Sequence, residues 1–312
     1  MPTYALLVSP KAEGAYFAQT LDVAHAELAA FLPTAKIEDR TYGDMHFLTL
    51  EAKPASLATL LRLSFVQGIF EVTGESLTPV NQSSGFGLHP DFVWGEKYRG
   101  KTNETLTQLL INLCLAEHPL AETLVDPMCG RATTLLWGMR YGLKTAGIEQ
   151  DPQAMIDLQR GLKKWTKLHR IKHKLEQGWV HKSNKNGVGK YLDFAAEGGS
   201  LRMVTGDTGD SQSLLQNRKF DILATDIPYG IQHLGGKNTR SPLETLRAAA
   251  PAWVASIKAG GVAAIAFNSN LPKRDALSEV FTDCGLEILT TSVAHRMSES
   301  ILRDVLLMRK SL

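Results

Sequence analysis

Two acidic motifs, Asp126 and Asp226 with their flanks, stand 100 residues apart and carry the residue types able to do chemistry. The first is Val125-Asp126-Pro127-Met128-Cys129-Gly130-Arg131-Ala132-Thr133-Thr134. A glycine turn that opens a helix lets backbone approach a ligand closely and aims free N–H groups at it. An acid, Glu149, follows 23 residues after Asp126, where a carboxylate at the next strand end can accept both hydroxyls of a ribose. A dinucleotide would want G-x-G-x-x-G, with small residues to admit a pyrophosphate. Here the turn begins Asp-Pro and holds bulky Met128 and Arg131, so a sulfonium nucleoside fits better. The plain alternative is a structural strand-to-helix turn. The second motif, Asp221-Ile222-Leu223-Ala224-Thr225-Asp226-Ile227-Pro228-Tyr229-Gly230, is an apolar strand ending in Asp-x-Pro-Tyr. Its plain alternative is a β-turn that contains Pro228.

That ending closely resembles the Asp/Asn-Pro-Pro-Tyr/Phe loop of amino-group methyltransferases. An exocyclic amine on a base is a poor nucleophile, because its lone pair is delocalised into the ring. The resemblance implies that the Asp226 carboxylate and the Ile227 carbonyl accept the two N–H bonds, with Pro228 shaping the loop. The Tyr229 ring would stack on the flipped base. It also implies S-adenosylmethionine as cofactor, held by Asp126, Pro127, Cys129, Gly130, Thr133, Glu149 and Asp226. Ile227 stands where the family usually has Pro, which predicts a less rigid loop. Ala132 stands where a second Gly is usual. Asp207 falls where related enzymes hold the adenine amino group, or is a surface turn acid. Thr102 is a cofactor contact or a helix N-cap. His233 meets substrate or is an exposed loop histidine. Cytosine-C5 methylation would need a cysteine in the Asp226 loop, and none is there, so Cys129 reads as a small apolar residue lining the turn.

These residues need a scaffold, and the 312-residue chain is long enough for one large domain and one small. Its 44% hydrophobic and 21% charged content is that of a globular protein. No apolar run long enough for a membrane span is present, and the N-terminus reads as a strand rather than a signal peptide. Three cysteines at wide spacings make neither a disulfide framework nor a zinc site, so the expected compartment is the cytoplasm and the expected chemistry is metal-free. Tyr4–Val8, Met45–Leu50 and Phe65–Val72 read as strands, with helices over Phe17–Phe31 and Ser56–Leu63. This predicts a small N-terminal α/β domain over 1–77, followed by a Pro/Gly/Ser/Asn-rich linker over 78–95. From residue 96 to 312, strands at Thr123–Met128, Thr145–Glu149, Arg202–Gly206, Asp221–Thr225 and Gly261–Phe267 alternate with helices, which builds a parallel sheet with helices on both faces. Leu286–Ala294 and Ile301–Arg309 are too close for anything but an antiparallel pair. A doubly wound sheet closing on such a hairpin resembles the Rossmann-like methyltransferases, with a mostly parallel seven-stranded α/β sheet.

Charge is unevenly spread. The chain has a formal net charge of +2, yet residues 160–190 hold ten Lys/Arg against one acid, Glu176. Basic side chains here, Lys163, Lys164, Lys167, Arg170, Lys172 and Lys174 among them, interleave with Trp165 and Trp179. That pattern suits a phosphate backbone with splayed bases, or it is a solvated helix face.

The run Glu96-Lys97-Tyr98-Arg99-Gly100-Lys101-Thr102 is similar to the lead-in of the tRNA guanine-N2 methyltransferases that act on the D-arm region. Phe65-Val66-Gln67-Gly68-Ile69-Phe70-Glu71-Val72-Thr73-Gly74 is similar to the end of that family's small N-terminal domain. Between the two the family carries a THUMP RNA-binding domain, and only residues 78–95 stand here. The resemblance implies an N-methyltransferase acting on a base amine, guanine N2 in tRNA or other RNA first, with RNA as partner. A DNA adenine or cytosine amino-methyltransferase and a non-catalytic scaffold are the alternatives. A small activating protein subunit is admitted as a further partner, and the oligomeric state is left open.

Overall fold

A computed structural model describes residues 1–98, 101–182, 187–228, 242–291, 293–298 and 301–312. The first 79 residues supply a five-stranded antiparallel sheet made of β1 (Thr3–Val8), β2 (Glu38–Tyr42), β3 (Met45–Glu51), β4 (Val66–Thr73) and β5 (Ser76–Pro79), in the order β2-β3-β1-β4-β5. The helix Thr20–Phe31 buries Val23, Ala24, Glu27 and Leu28, at the three- and four-residue spacing that keeps one helix face on a core. The edge strands β2 and β5 escape the sequence pattern because they are mostly exposed and lack apolar alternation.

The larger sheet has ten strands: β6 (Thr123–Asp126), β7 (Lys144–Glu149), β8 (His173–Lys182), β9 (Gly187–Ala196), β10 (Gly199–Thr205), β11 (Phe220–Asp226), β12 (Ile257–Asn268), β13 (Leu286–Leu289), β14 (His295–Ser298) and β15 (Ile301–Lys310). The strands β10, β7, β6, β11 and β12 lie side by side and parallel. β15 then runs antiparallel between β12 and β13. These seven are the Rossmann-like methyltransferase sheet, including its reversed strand. β11 is buried along almost its whole length, as a central strand covered on both faces must be.

Three further strands enlarge the sheet beyond seven. β14 pairs with β15, and the hairpin β8–β9 adds to the free edge of β10. The basic segment 160–190 is therefore only partly helical: the helix Pro152–Leu168 ends, Arg170 takes a left-handed φ of 53°, and β8 begins at His173. Residues 78–95 are no loose tether either. Gly87 N–H donates to the Arg140 carbonyl, the Arg140 guanidinium donates to the Leu88 carbonyl, and Phe86 and Trp94 pack edge-on against Trp137.

The two sheets share one continuous core through the helix Glu104–Glu117, buried at every position from Thr105 to Cys114. A polar knot sits at this seam. Fully buried Glu27 accepts from Ser64 N–H (3.0 Å) and Asn112 Nδ2 (2.6 Å), and Tyr141 donates to Asn112 Oδ1. Burial pushes the Glu27 carboxyl up to about 7, against the pull of those hydrogen bonds.

Candidate active site

Parallel strands deliver their carboxyl ends to one rim, and three of them place an acid there: Asp126 ends β6, Glu149 ends β7 and Asp226 ends β11. Between them lies the turn into the helix Thr133–Arg140. Asp126 is 2% exposed and accepts from Met128 N–H at 3.0 Å. Burial pushes its carboxyl up to about 6, with hydrogen bonding opposing the rise and Asp226 adding to it. Pro127 and Thr133 are buried in the same turn. Glu149 is held at both oxygens, by Gly130 N–H at 3.0 Å and Asp151 N–H at 2.8 Å. Gly130 has φ +50°, and a Cβ there would meet open space, so the turn is uncovered on that side.

Ala132 takes φ 65°, the left-handed conformation a Cβ disfavours, while wholly buried. This is the position where a second Gly was expected. Cys129 packs against β7, where a Cβ on Gly147 would come within 2.8 Å of its Sγ. Burial, Asp126 and Glu149 all push the thiol well above its usual range. Thr102 is not the helix cap. Asn103 is, accepting from Thr105 and Leu106 N–H at 2.9 and 3.1 Å. Asp207 is exposed, beyond β10, and caps a short turn by accepting from Gly209 N–H at 2.7 Å.

Ile227 is 3% exposed in the core, and its N–H donates to the Ala266 carbonyl at 2.9 Å, one rung past the end of β11. A proline could not donate that bond. Tyr229 and His233 lie outside the described residues. One neighbour escaped the sequence reading altogether: Arg303 of β15, 4% exposed, with Nη2 3.6 Å from Asp226 Oδ2. The available signal was an Arg-Asp pair between the apolar residues Ile301-Leu302 and Val305–Met308 of one strand.

The basic side chains are not gathered at this rim. The helix Pro152–Leu168 starts there and runs away from it, so Lys163, Lys164 and Lys167 sit in its distal half, exposed. Arg170, Lys172 and Lys174 continue toward the opposite rim. Lys164 and Lys174 are already paired, with Glu96 at 2.7 Å and Glu176 at 2.8 Å. Of the two tryptophans, Trp165 is buried, whereas Trp179 is 46% exposed in the distal half of β8. β8 is parallel to β10, so that half points back to the acidic rim.

Among the described residues no Lys or Arg forms an ion pair with Asp126 or Glu149. Two acids beside an open glycine turn fit a cationic nucleoside such as S-adenosylmethionine.

The UPF0020 family (RMKL-like, methyltransferase domain) matches residues 96–283. No curated protein matches the chain by sequence. Among solved structures, TrmN from Thermus thermophilus is 12% identical with a TM-score of 0.44, over 88% of this chain and 60% of that one. A putative RNA methyltransferase from Pyrococcus horikoshii is 16% identical with a TM-score of 0.42, over 73% of this chain and 92% of that one. The chain thus spans about 60% of the length of the Thermus protein. The family match runs across both acidic motifs and the five parallel strands, and the chain belongs to the UPF0020 family, with an RMKL-like methyltransferase domain over residues 96–283.

Proposed function

We propose that the protein methylates an exocyclic amino nitrogen of a nucleic-acid base, with guanine N2 in tRNA or other RNA as the favoured target. The observation that carries this is the placing of Asp226 and the buried Ile227 at the end of β11, beside the Asp126 turn and Glu149. Bound S-adenosylmethionine supplies a methyl group on a sulfonium. Glu149 would hold its ribose, the turn Asp126–Thr133 its amino-acid portion, and Asp207 or Thr102 its outer edge. Asp226 and the Ile227 carbonyl would accept the two N–H bonds of the target amine, and Tyr229 would stack on the base. The proton shed by the nitrogen as it gains the methyl group passes to the Asp226 side. The distal half of β8, with exposed Trp179 opposite exposed Lys190, supplies an aromatic face and a cation on the same rim. The lysines of the helix would then contact phosphates farther along an RNA that wraps this edge.

The test is transfer of labelled methyl from S-adenosylmethionine to bulk tRNA, with Asp226→Ala as control. Transfer by the native chain and a loss of about a hundredfold or more in kcat for the variant, at unchanged cofactor affinity, is the expected outcome. An Asp226→Ala protein that still transfers at the native rate would remove the loop from the chemistry.

A further inference from the structure

Far from the acidic rim, at the other end of the helix Pro152–Leu168, three side chains from two parts of the chain converge. They are His89 and Asp91 from the strap before the methyltransferase fold and His169 at the helix C-terminus. His169 Nε2 lies 2.9 Å from Asp91 Oδ2, and His89 Nδ1 lies 3.6 Å from the same oxygen. The two imidazoles stack at 3.6 Å between centroids, 25° from parallel. All three ligand atoms fall within 4.8 Å of one another.

We propose that His89, Asp91 and His169 form a binding site for a divalent cation of zinc type. Zinc takes imidazole nitrogen and carboxylate oxygen at about 2.0–2.2 Å, so tetrahedral ligand atoms stand roughly 3.3 Å apart. The two separations to Asp91 Oδ2 bracket that spacing, and the nitrogen pair closes by at most about 1.5 Å as the His89 ring turns out of the stack to aim its lone pair at the ion. Two imidazoles with one carboxylate are a borderline donor set, which suits Zn²⁺ and not Mg²⁺ or Ca²⁺.

His89 Nδ1 accepts the Asp91 N–H at 3.2 Å, a bond that it exchanges for the ion. Partial exposure of His89, 41%, leaves a fourth position for water.

The helix of 17 residues, about 25 Å at 1.5 Å per residue, separates this site from the cofactor turn, and methyl transfer does not use it. The ion would instead clip the strap at residues 89–91 to the foot of the β8–β9 hairpin, fixing the hairpin that carries Trp179.

The experiment is calorimetric titration of the full metal-free chain with ZnCl₂, alongside His89→Ala, His169→Ala and a control, His25→Ala. His25 is also paired with a carboxylate, Asp39, at 2.8 Å. One Zn²⁺ per chain is expected for the native protein and for His25→Ala. Affinity should weaken at least about tenfold in each of the other two variants, the scale lost when even outer partners of a metal site are removed. Zn²⁺ should also raise the melting temperature of the native chain and not of His89→Ala. No binding at 100-fold excess, or equal binding by all four proteins, overturns the site.

Discussion

Arg303 places its guanidinium 3.6 Å from the Asp226 carboxylate, with both side chains more than nine-tenths buried. The pair joins the reversed strand β15 to the end of β11. Behind it, His295 faces Arg303 across the β14–β15 ladder and packs edge-on against Tyr16 at 5.1 Å. Burial holds His295 below its usual range, so it backs the guanidinium without adding charge. The N-terminal part of the chain thus backs the proposed reaction centre from behind.

Removing the guanidinium should therefore disturb Asp226 before it disturbs anything else. Arg303→Met is expected to lower kcat and move the acidic limb of the pH–rate profile upward, because a buried carboxylate without its cation resists ionisation. Cofactor affinity should stay near native. Arg303→Lys should recover part of the rate. Rate profiles of the two variants check this, and an unshifted acidic limb would deny the coupling.

Glu149 is pinned by Gly130 and Asp151 N–H, so its loss removes a ribose acceptor and loosens the turn together. Glu149→Ala should weaken S-adenosylmethionine binding at least tenfold, given about 1.5–3 kcal/mol per hydrogen bond to a charged group. Calorimetry measures it directly. Unchanged affinity would take Glu149 out of the cofactor site.

Ala132 holds a left-handed φ of 65°. Ala132→Gly removes a backbone penalty of about 1–2 kcal/mol and gives back about 0.5–1 kcal/mol in unfolded-state entropy. A small rise in melting temperature is expected, with cofactor affinity kept. A fall would show that the methyl group contributes packing that outweighs the strain.

Asp221, at the start of β11, accepts from Thr123 and Glu122 N–H and from Lys258 Nζ at 2.8 Å. Burial alone would raise its carboxyl, but Lys258 and the other donors hold it down at about 2. A depressed carboxyl stabilises the fold above its unfolded value near 4, and that stability is lost as pH falls from about 4 to about 2. The shift corresponds to about 2 kcal/mol. Asp221→Asn should lower stability at pH 7 by that order and close on the native protein near pH 2, as denaturant titrations at both pH values would show.

Much of this was legible in the residues. The parallel strands are apolar runs bounded by turns, and Asp126, Glu149 and Asp226 sit at their carboxyl ends because that is where such sheets expose chemistry. The β8–β9 hairpin was not legible: His173–Lys182 puts only Leu175 and Trp179 on one face and Val180 on the other, since an edge hairpin has no fully buried side to impose a period on its sequence. Arg303 and the Glu27–Asn112 knot were hidden for another reason. Their partners lie 77 and 85 residues away in sequence, and nothing local announces a contact at that distance. Ile227, read as a lost proline, also has a buried side chain and an N–H that bonds the Ala266 carbonyl, neither of which its residue type announces.

The most direct test of base N-methylation is mass spectrometry of RNA nucleosides from cells with and without this protein. The account predicts that N2-methylguanosine falls in tRNA or another RNA when the protein is removed, and returns with the native chain but not with Asp226→Ala. An RNA nucleoside profile identical in the two cell types, with every N-methylated base at the same level, would contradict it.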